Sequence, residues 1–361
     1  MQSITIGVNQ AGQRLDKFLR KLLPEAGGGF LYKMLRKKNI TLNGRKAEGS
    51  ELLAQGDQVC FFFSDETFDK FAGKDRKNVN HSGQKAADLE EYRRAYRELI
   101  GIDVIYEDEH VLILDKPAGI LTQKAKSADI SLNEWMIGYL LNKEPGFAAE
   151  LESFRPSVCN RLDRNTSGLV LCGKSLPGLQ FLSRCIRERS IRKFYRTICV
   201  GKLKEPALVK GYLTKDASRN RVSVVPAGKS SVLSESGANG LPANSILADD
   251  IGEYIETVYK PVCVGEGYTL LEVELITGKP HQIRAHLAGQ GHPLIGDFKY
   301  GNAKVNKSLQ ETYGLEHQLL HAFRVEFPDT EEVAGLKLSG RIITTPCPQQ
   351  FEQLQKALEM V

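Results

Sequence analysis

The sequence predicts an α+β protein of two unequal domains. Three observations carry that prediction. At 361 residues the chain is too long for one small core, so more than one domain is expected. Its apolar runs read mostly as strands, joined by both short and long connections rather than by a regular alternation with helices. Its basic charge gathers near the N-terminus: between Gly12 and Ser50 ten Lys/Arg oppose three acids, a local +7 in a chain of net +5. The remainder is therefore slightly acidic. A basic segment in a near-neutral chain is the footprint of a nucleic-acid binder, although a solvated helical face would leave the same charge pattern.

The elements follow in chain order. In RLDKFLRKLL (14–23) the apolar residues Leu15, Phe18, Leu19, Leu22 and Leu23 fall on one helical face, with Lys17, Arg20 and Lys21 off it. A second short helix fits FLYKMLRKKN (30–39), with Phe30, Leu31, Met34 and Leu35 inward and Lys33, Arg36 and Lys37 outward. ITLNGRKA (40–47) reads as a strand with a tight turn at Asn43-Gly44, and GDQVCFFF (56–63) as a returning strand. Together these make a small module over residues 12–63. The stretch 64–97 is polar, with Gly, Asn and Ser in its middle, and reads as a linker whose last part is a short helix or an extended arm. A larger domain occupies 98–361. VLILDKP (111–117), GLVLCGK (168–174), FYRTICVG (194–201) and YTLLEVELITG (268–278) read as strands. SLPGLQFLSRCIRERS (175–190) has helical spacing, and the Gly- and Ser-rich stretch 226–252 reads as a surface excursion between strands.

Several function classes fall away. No apolar run approaches the roughly 20 residues that span a bilayer, and the N-terminal residues lack the pattern of a secretory signal. Seven scattered cysteines with no CxxC pair point to reduced thiols in the cytoplasm and not to a zinc site. His281 and His286 stand five apart, a spacing that would not present both to one ion from a regular helix, so hydrogen-bonding histidines around a turn are expected. Phosphate-loop, dinucleotide and nucleophile-elbow signatures are absent, so no metal or cofactor is expected.

What remains is CNRLDRNTSG (159–168), where Asp163 sits between Arg161 and Arg164 ahead of an apolar strand. By local chemistry alone Asp163 is either a carboxylate stitched into a loop by arginines or a reactive group. The segment closely resembles the central motif of the RluA-type pseudouridine synthases, usually His-Arg-Leu-Asp followed by Thr-Ser-Gly. The likeness extends along nearly the whole chain. LDKPAGILT (114–122) resembles that family's Lys-Pro-x-Gly motif, RKFYRTICVG (192–201) its Lys-x-Tyr segment, LITGKPHQIRAHLAGQGHPLIGDFKYG (275–301) its arginine-bearing motif, and LLHAFRVEF (319–327) its final strand. Residues 12–63 resemble the alpha-L RNA-binding domain, of the type found in ribosomal protein S-four.

The resemblance implies a catalytic domain on a mixed, largely antiparallel sheet, and an isomerase that turns uridine into pseudouridine in RNA without a cofactor. It implies that Asp163 is the catalytic carboxylate and that Arg284 pairs with it. Tyr195 would stack on the target uracil and help remove its carbon-5 proton, and Arg161 would enter the RNA where the base has left. Lys116 and Pro117 would be scaffold. The basic residues Lys17, Arg20, Lys21, Lys33, Arg36 and Lys37 would grip RNA. Asn160 departs from the family's usual histidine, but its amide can make the same supporting hydrogen bonds. The implied substrate is large-subunit (23S) ribosomal RNA, as in the RluC subgroup, met in the cytoplasm by a monomer with no membrane partner. An RluD-like or tRNA specificity comes next, then a catalytically inactive RNA-binding protein. A glycosidase-like hydrolase ranks last, for want of a second carboxylate.

Overall fold

The computed structural model describes residues 2–7, 9–72, 80–151, 154–216, 221–226, 252–329 and 336–360. The N-terminal module starts earlier than its basic helices suggest. Strand β1 (Gln2–Thr5) pairs antiparallel with β4 (Gln58–Phe61), which pairs with β2 (Ile40–Leu42), which in turn carries β3 (Arg45–Lys46). The expected hairpin is thus part of a four-stranded sheet beginning at residue 2, not 12. The strand returning from the turn is the short β3, while β4 lies on the other edge of β2. Asn43 and Gly44 both take positive φ (50° and 72°), the backbone a two-residue hairpin turn requires. Helices α1 (Leu15–Leu22) and α2 (Gly28–Arg36) bury Leu15, Phe18, Leu19, Leu31, Met34 and Leu35 against this sheet.

Within the polar stretch 64–97 the described residues are largely helical, and the expected short helix at its end is part of a longer one. Ser64 caps α3 (Asp65–Phe71) by accepting from the Thr67 amide, and a 19-residue helix spans Asn80–Glu98; residues 73–79 lie outside the described residues. The long helix hides its packing from hydropathy because its apolar face is narrow. Tyr92 and Ala95 are buried against the helix Leu132–Lys143, and the backbones approach so closely at Gly138 that a Cβ there would lie 2.2 Å from the Tyr92 carbonyl oxygen. Gly138 admits the close approach, and Tyr92 and Tyr96 pack beside it against the helix that carries Trp135 and Tyr139.

The large domain is an 11-stranded sheet. Its strands are β5 (Asp103–Glu107), β6 (Val111–Lys116), β7 (Ser157–Val158), β8 (Ser167–Gly173), β9 (Arg192–Val200), β10 (Ala207–Asp216), β11 (Arg221–Pro226), β12 (Glu253–Val264), β13 (Tyr268–Leu275), β14 (Leu320–Glu326) and β15 (Ile342–Thr344). The main path runs β11-β10-β12-β13-β9-β14-β8-β6-β5, with β15 on β14 and β7 on β8. Every pairing is antiparallel except β14 with β8, so the sheet is mixed and largely antiparallel as expected. Residues 227–251, most of the expected surface excursion, lie outside the described residues. The four apolar runs expected as strands are β6, β8, β9 and β13. SLPGLQFLSRCIRERS holds the helix Leu176–Arg187, capped by Ser175. All seven cysteines are free, and among the described residues no helix is long and apolar enough to cross a membrane.

Candidate active site

The parallel contact between β14 and β8 organises the centre of the sheet. His321 faces Ser167 and Ala322 faces Gly168, whose φ of 111° and absent Cβ let the strands touch; a Cβ would stand 2.3 Å from the Ala322 carbonyl oxygen. The loop 159–166 leaves β7 and enters β8 at this point, and nearly every residue in it is tied down. Asn160 donates to the Leu169 carbonyl and accepts from the Leu171 amide, so the residue that departs from the family pattern does support the loop. The Thr122 hydroxyl accepts from the Leu162 amide and donates to the Leu162 carbonyl. Lys116, fully buried, donates from Nζ to the carbonyls of Pro117, Ile120 and Arg164 at 3.0, 2.9 and 3.1 Å. Burial pushes its ammonium down to about 7, against the opposing charges of Asp163 and Asp115. Asp163 therefore has a fixed backbone on both sides.

Its side-chain partner is distant in sequence. Arg284, on the helix Gln282–Gly289, donates from Nη1 to Asp163 Oδ2 at 2.9 Å across 121 residues. The rest of the guanidinium is held from behind. Nε and Nη2 donate to the two oxygens of Asp297 at 2.7 and 2.9 Å, a bidentate pair in which the aspartate is wholly buried. Asp297 also accepts from the Lys299 and Tyr300 amides. Burial alone would raise the Asp297 carboxyl, but the Arg284 hydrogen bonds and charge outweigh it and the pKa is lowered. Burial likewise opposes the charge on Arg284, yet Asp297 first and Asp163 next raise its pKa. A buried cation shared by two carboxylates is the arrangement that makes such burial tolerable. Neither arginine beside Asp163 in sequence makes this bond.

A cleft opens over the pair, lined by Arg161, Asp163, Tyr195, His281, Arg284 and Leu320 among others. Tyr195, on β9 opposite Val273 and Ala322, presents a mostly buried ring. Burial, and then the charge of Asp163, raises its pKa, so the hydroxyl keeps its proton near neutrality. Arg161 is exposed at the rim. Among the described residues no cluster of His, Cys, Asp and Glu could hold a metal ion.

The sequence profile of the RNA pseudouridylate synthase family matches residues 110–289, which contain Asp163, Tyr195 and Arg284. The domain these residues form belongs to that family. A synthase of Vibrio vulnificus, "Ribosomal large subunit pseudouridine synthase C", is 27% identical over 99% of this chain and 96% of its own. "Ribosomal large subunit pseudouridine synthase D" of Nitrosomonas europaea is 27% identical over 98% of this chain and 87% of its own. Among solved structures, human RNA pseudouridylate synthase domain containing 4 shares the fold with a TM-score of 0.55, at 18% identity, over 76% of this chain and 97% of that one. The protein is thus a pseudouridine synthase, an isomerase acting on uridine in RNA, on the α+β fold expected.

The structure gathers Asp163, Tyr195, Arg284 and Arg161 around one cleft. The six basic residues expected to hold RNA lie on α1 and α2 or, for Lys37, at the C-cap of α2, with exposed side chains apart from the cleft lining; Lys21 bonds the Gln13 side chain at 3.3 Å. Two residues escaped sequence reasoning. Asp297, in HPLIGDFKYG, reads as an ordinary turn aspartate until Arg284 is seen against it. His281 was expected in a turn with His286. Both are hydrogen-bonded, His281 to the Tyr300 hydroxyl and His286 to that of Thr257; His281 occupies the N-cap position of the helix that holds His286, in left-handed backbone (φ 56°, ψ 14°) and without a side-chain cap bond, and lines the cleft. The only local signal was Gly278-Lys279-Pro280 just ahead, which marks a chain break before a helix.

Proposed function

We propose that this synthase isomerises specific uridines of large-subunit ribosomal RNA, with Asp163 as the reacting carboxylate. The observation that carries the reading is the Asp163–Arg284 bond at 2.9 Å on the floor of a cleft that also holds Tyr195 and Arg161. The reaction needs an ionised carboxylate beside a ribose, and both contacts to Asp163 among the described residues fall on Oδ2. Oδ1 is left to act, as nucleophile at the anomeric carbon or as base at the neighbouring sugar carbon. On either route the bond from uracil N1 to the ribose breaks, the base turns while bound, carbon 5 bonds the anomeric carbon, and the carboxylate is regenerated. Nothing is consumed.

The other residues serve this step by position. Arg284 cannot swing away because Asp297 holds its far side, so the ion pair is organised before substrate arrives. A paired uridine must leave its stack at a cost of a few kcal/mol. The Tyr195 ring offsets part of this by stacking, worth about 1–3 kcal/mol per base. Arg161 at the rim suits the gap left in the RNA. The N-terminal module, read as an alpha-L-type domain, adds a phosphate grip through Lys17, Arg20, Lys21, Lys33, Arg36 and Lys37, with the helices at 65–98 joining it to the catalytic domain. The two bacterial relatives, both named as ribosomal large subunit synthases, support ribosomal RNA as the substrate. The decisive test is Asp163→Asn, which should form no pseudouridine while still binding RNA; retained activity would remove Asp163 from the chemistry. Mapping the pseudouridines that disappear from ribosomal RNA when the gene is deleted tests the substrate.

A further inference from the structure

We propose that Asp88 and Glu91, on the helix Asn80–Glu98, are positioning residues for Asp163. The inference rests on Asp163 being the carboxylate that reacts at the ribose. Three residues apart, the two acids share one face of the helix, and each is ion-paired to a different chain segment beside the catalytic loop. Glu91 accepts from Lys124 Nζ, and Asp88 Oδ2 accepts from Arg155 Nη2 at 3.1 Å. Lys124 belongs to the segment 117–131 that leaves β6, and Arg155 stands four residues ahead of the loop 159–166. The helix therefore grips one segment that hydrogen-bonds the loop and another that feeds it.

Both segments reach Asp163 over a short path. From Lys124 the path is Thr122, two residues earlier, whose hydroxyl is bonded to the amide and the carbonyl of Leu162. The same segment meets the far side of Asp163, where the Gly119 amide and Lys116 Nζ donate to the Arg164 carbonyl at 2.9 and 3.1 Å. From Arg155 the chain passes through Pro156, whose ring fixes φ, and through β7, where the Val158 amide donates to the Asn133 side chain at 3.1 Å. The helix that carries the acids is itself fixed. It lies on the helix Leu132–Lys143 at the Tyr92–Gly138 approach, with the Tyr96 and Trp135 rings 5.5 Å apart. An ordinary surface pair on the same helix makes the contrast. Glu90 and Arg97 bond at 2.7 Å with side chains 59% and 60% exposed, whereas those of Glu91 and Lys124 are 28% and 23% exposed.

Carboxylates repel phosphate, so neither residue serves as an RNA contact. An ion pair partly open to water contributes little to stability. A displacement of about 1 Å at the reacting atoms, by contrast, can cost about 10²-fold in rate. The two pairs thus bear on where Asp163 sits more than on whether the protein folds, and the test separates those effects. In single turnover at saturating RNA, Glu91→Gln and Lys124→Gln should each slow pseudouridine formation about 10-fold, and Asp88→Asn with Glu91→Gln about 10²-fold. RNA affinity and the denaturant midpoint should stay close to those of the parent. Exchanging the charges, Glu91→Lys with Lys124→Glu, rebuilds the pair with its sign reversed and should recover most of the rate lost in either single Gln variant. An unchanged saturating rate in the Asp88→Asn, Glu91→Gln protein overturns the proposal. So does a rate loss matched by loss of folded protein, or one that the charge exchange does not recover. Asp163→Asn is read separately: activity there removes the carboxylate assignment, whereas the Asp88 and Glu91 variants report on placement with Asp163 intact.

Discussion

The protein carries two concentrations of charge, and they are built on opposite rules. On α1, Lys17, Arg20 and Lys21, and again on α2 and its C-cap Lys33, Arg36 and Lys37, follow one another at i, i+3 and i+4 with exposed side chains, opposite a buried apolar face. Under the cleft, Arg284 is buried between Asp163 and Asp297, each contact within hydrogen-bonding distance. Exposed charge is redundant and screened by salt, so each residue contributes little alone and the set acts through its summed field. Buried charge has no such tolerance, because a partner left unpaired bears its full desolvation cost. A long-range electrostatic grip and a rigid reactive pair therefore call for different neighbourhoods within one chain.

The buried cluster is the more fragile of the two. Asp163→Asn should reduce pseudouridine formation by about 10⁴-fold or more, the scale on which loss of an essential catalytic group is felt, with RNA affinity retained. Next in size, Asp297→Asn should destabilise the protein by about 3–5 kcal/mol, seen as a lower denaturant midpoint, because Arg284 loses its buried charge partner. The pH dependence of stability reports the same pair. The folded Asp297 pKa lies below the ordinary 3.8, so its contribution is fully present above that value and lost as pH falls through the folded pKa. The parent should therefore lose stability more steeply than Asp297→Asn below about pH 4.

At the exposed end the effects are smaller and of a different kind. Replacing Lys33, Arg36 and Lys37 by Gln should weaken RNA binding at moderate salt. The salt dependence should also flatten, by about 0.7–0.9 in log–log slope for each phosphate no longer neutralised. The rate at saturating RNA should not change. If the rate falls instead, these residues position the target rather than merely hold RNA. The smallest effect is expected from Tyr195→Phe, which keeps the ring, against a loss of about 1–3 kcal/mol in the alanine variant. A phenylalanine variant as impaired as alanine would make the hydroxyl, not the ring, the working part.

Much of the fold and of the site is legible in the chain itself. The periodicity of 14–23 and 30–39 marks the helices, because an amphipathic surface helix writes its burial into its own sequence. The apolar runs of β6, β8, β9 and β13 mark the central strands for the same reason. Motif order brings Asp163, Tyr195 and Arg284 into one expectation. Contacts made by a few residues spaced along a polar segment stay hidden. The helix Asn80–Glu98 reads as linker because its packing depends on Gly138 in another helix, and β1 escapes because four residues carry too little pattern.

Within CNRLDRNTSG, proximity in sequence offers Asp163 only the arginines beside it. The chain order of residues determined which elements form and which side chains are reactive in kind. Only the tertiary structure decided which charge meets which. It set Arg284 on Asp163 and Asp297 behind Arg284, because the energy of a buried ion pair depends on distance and desolvation, and neither is a property of sequence separation.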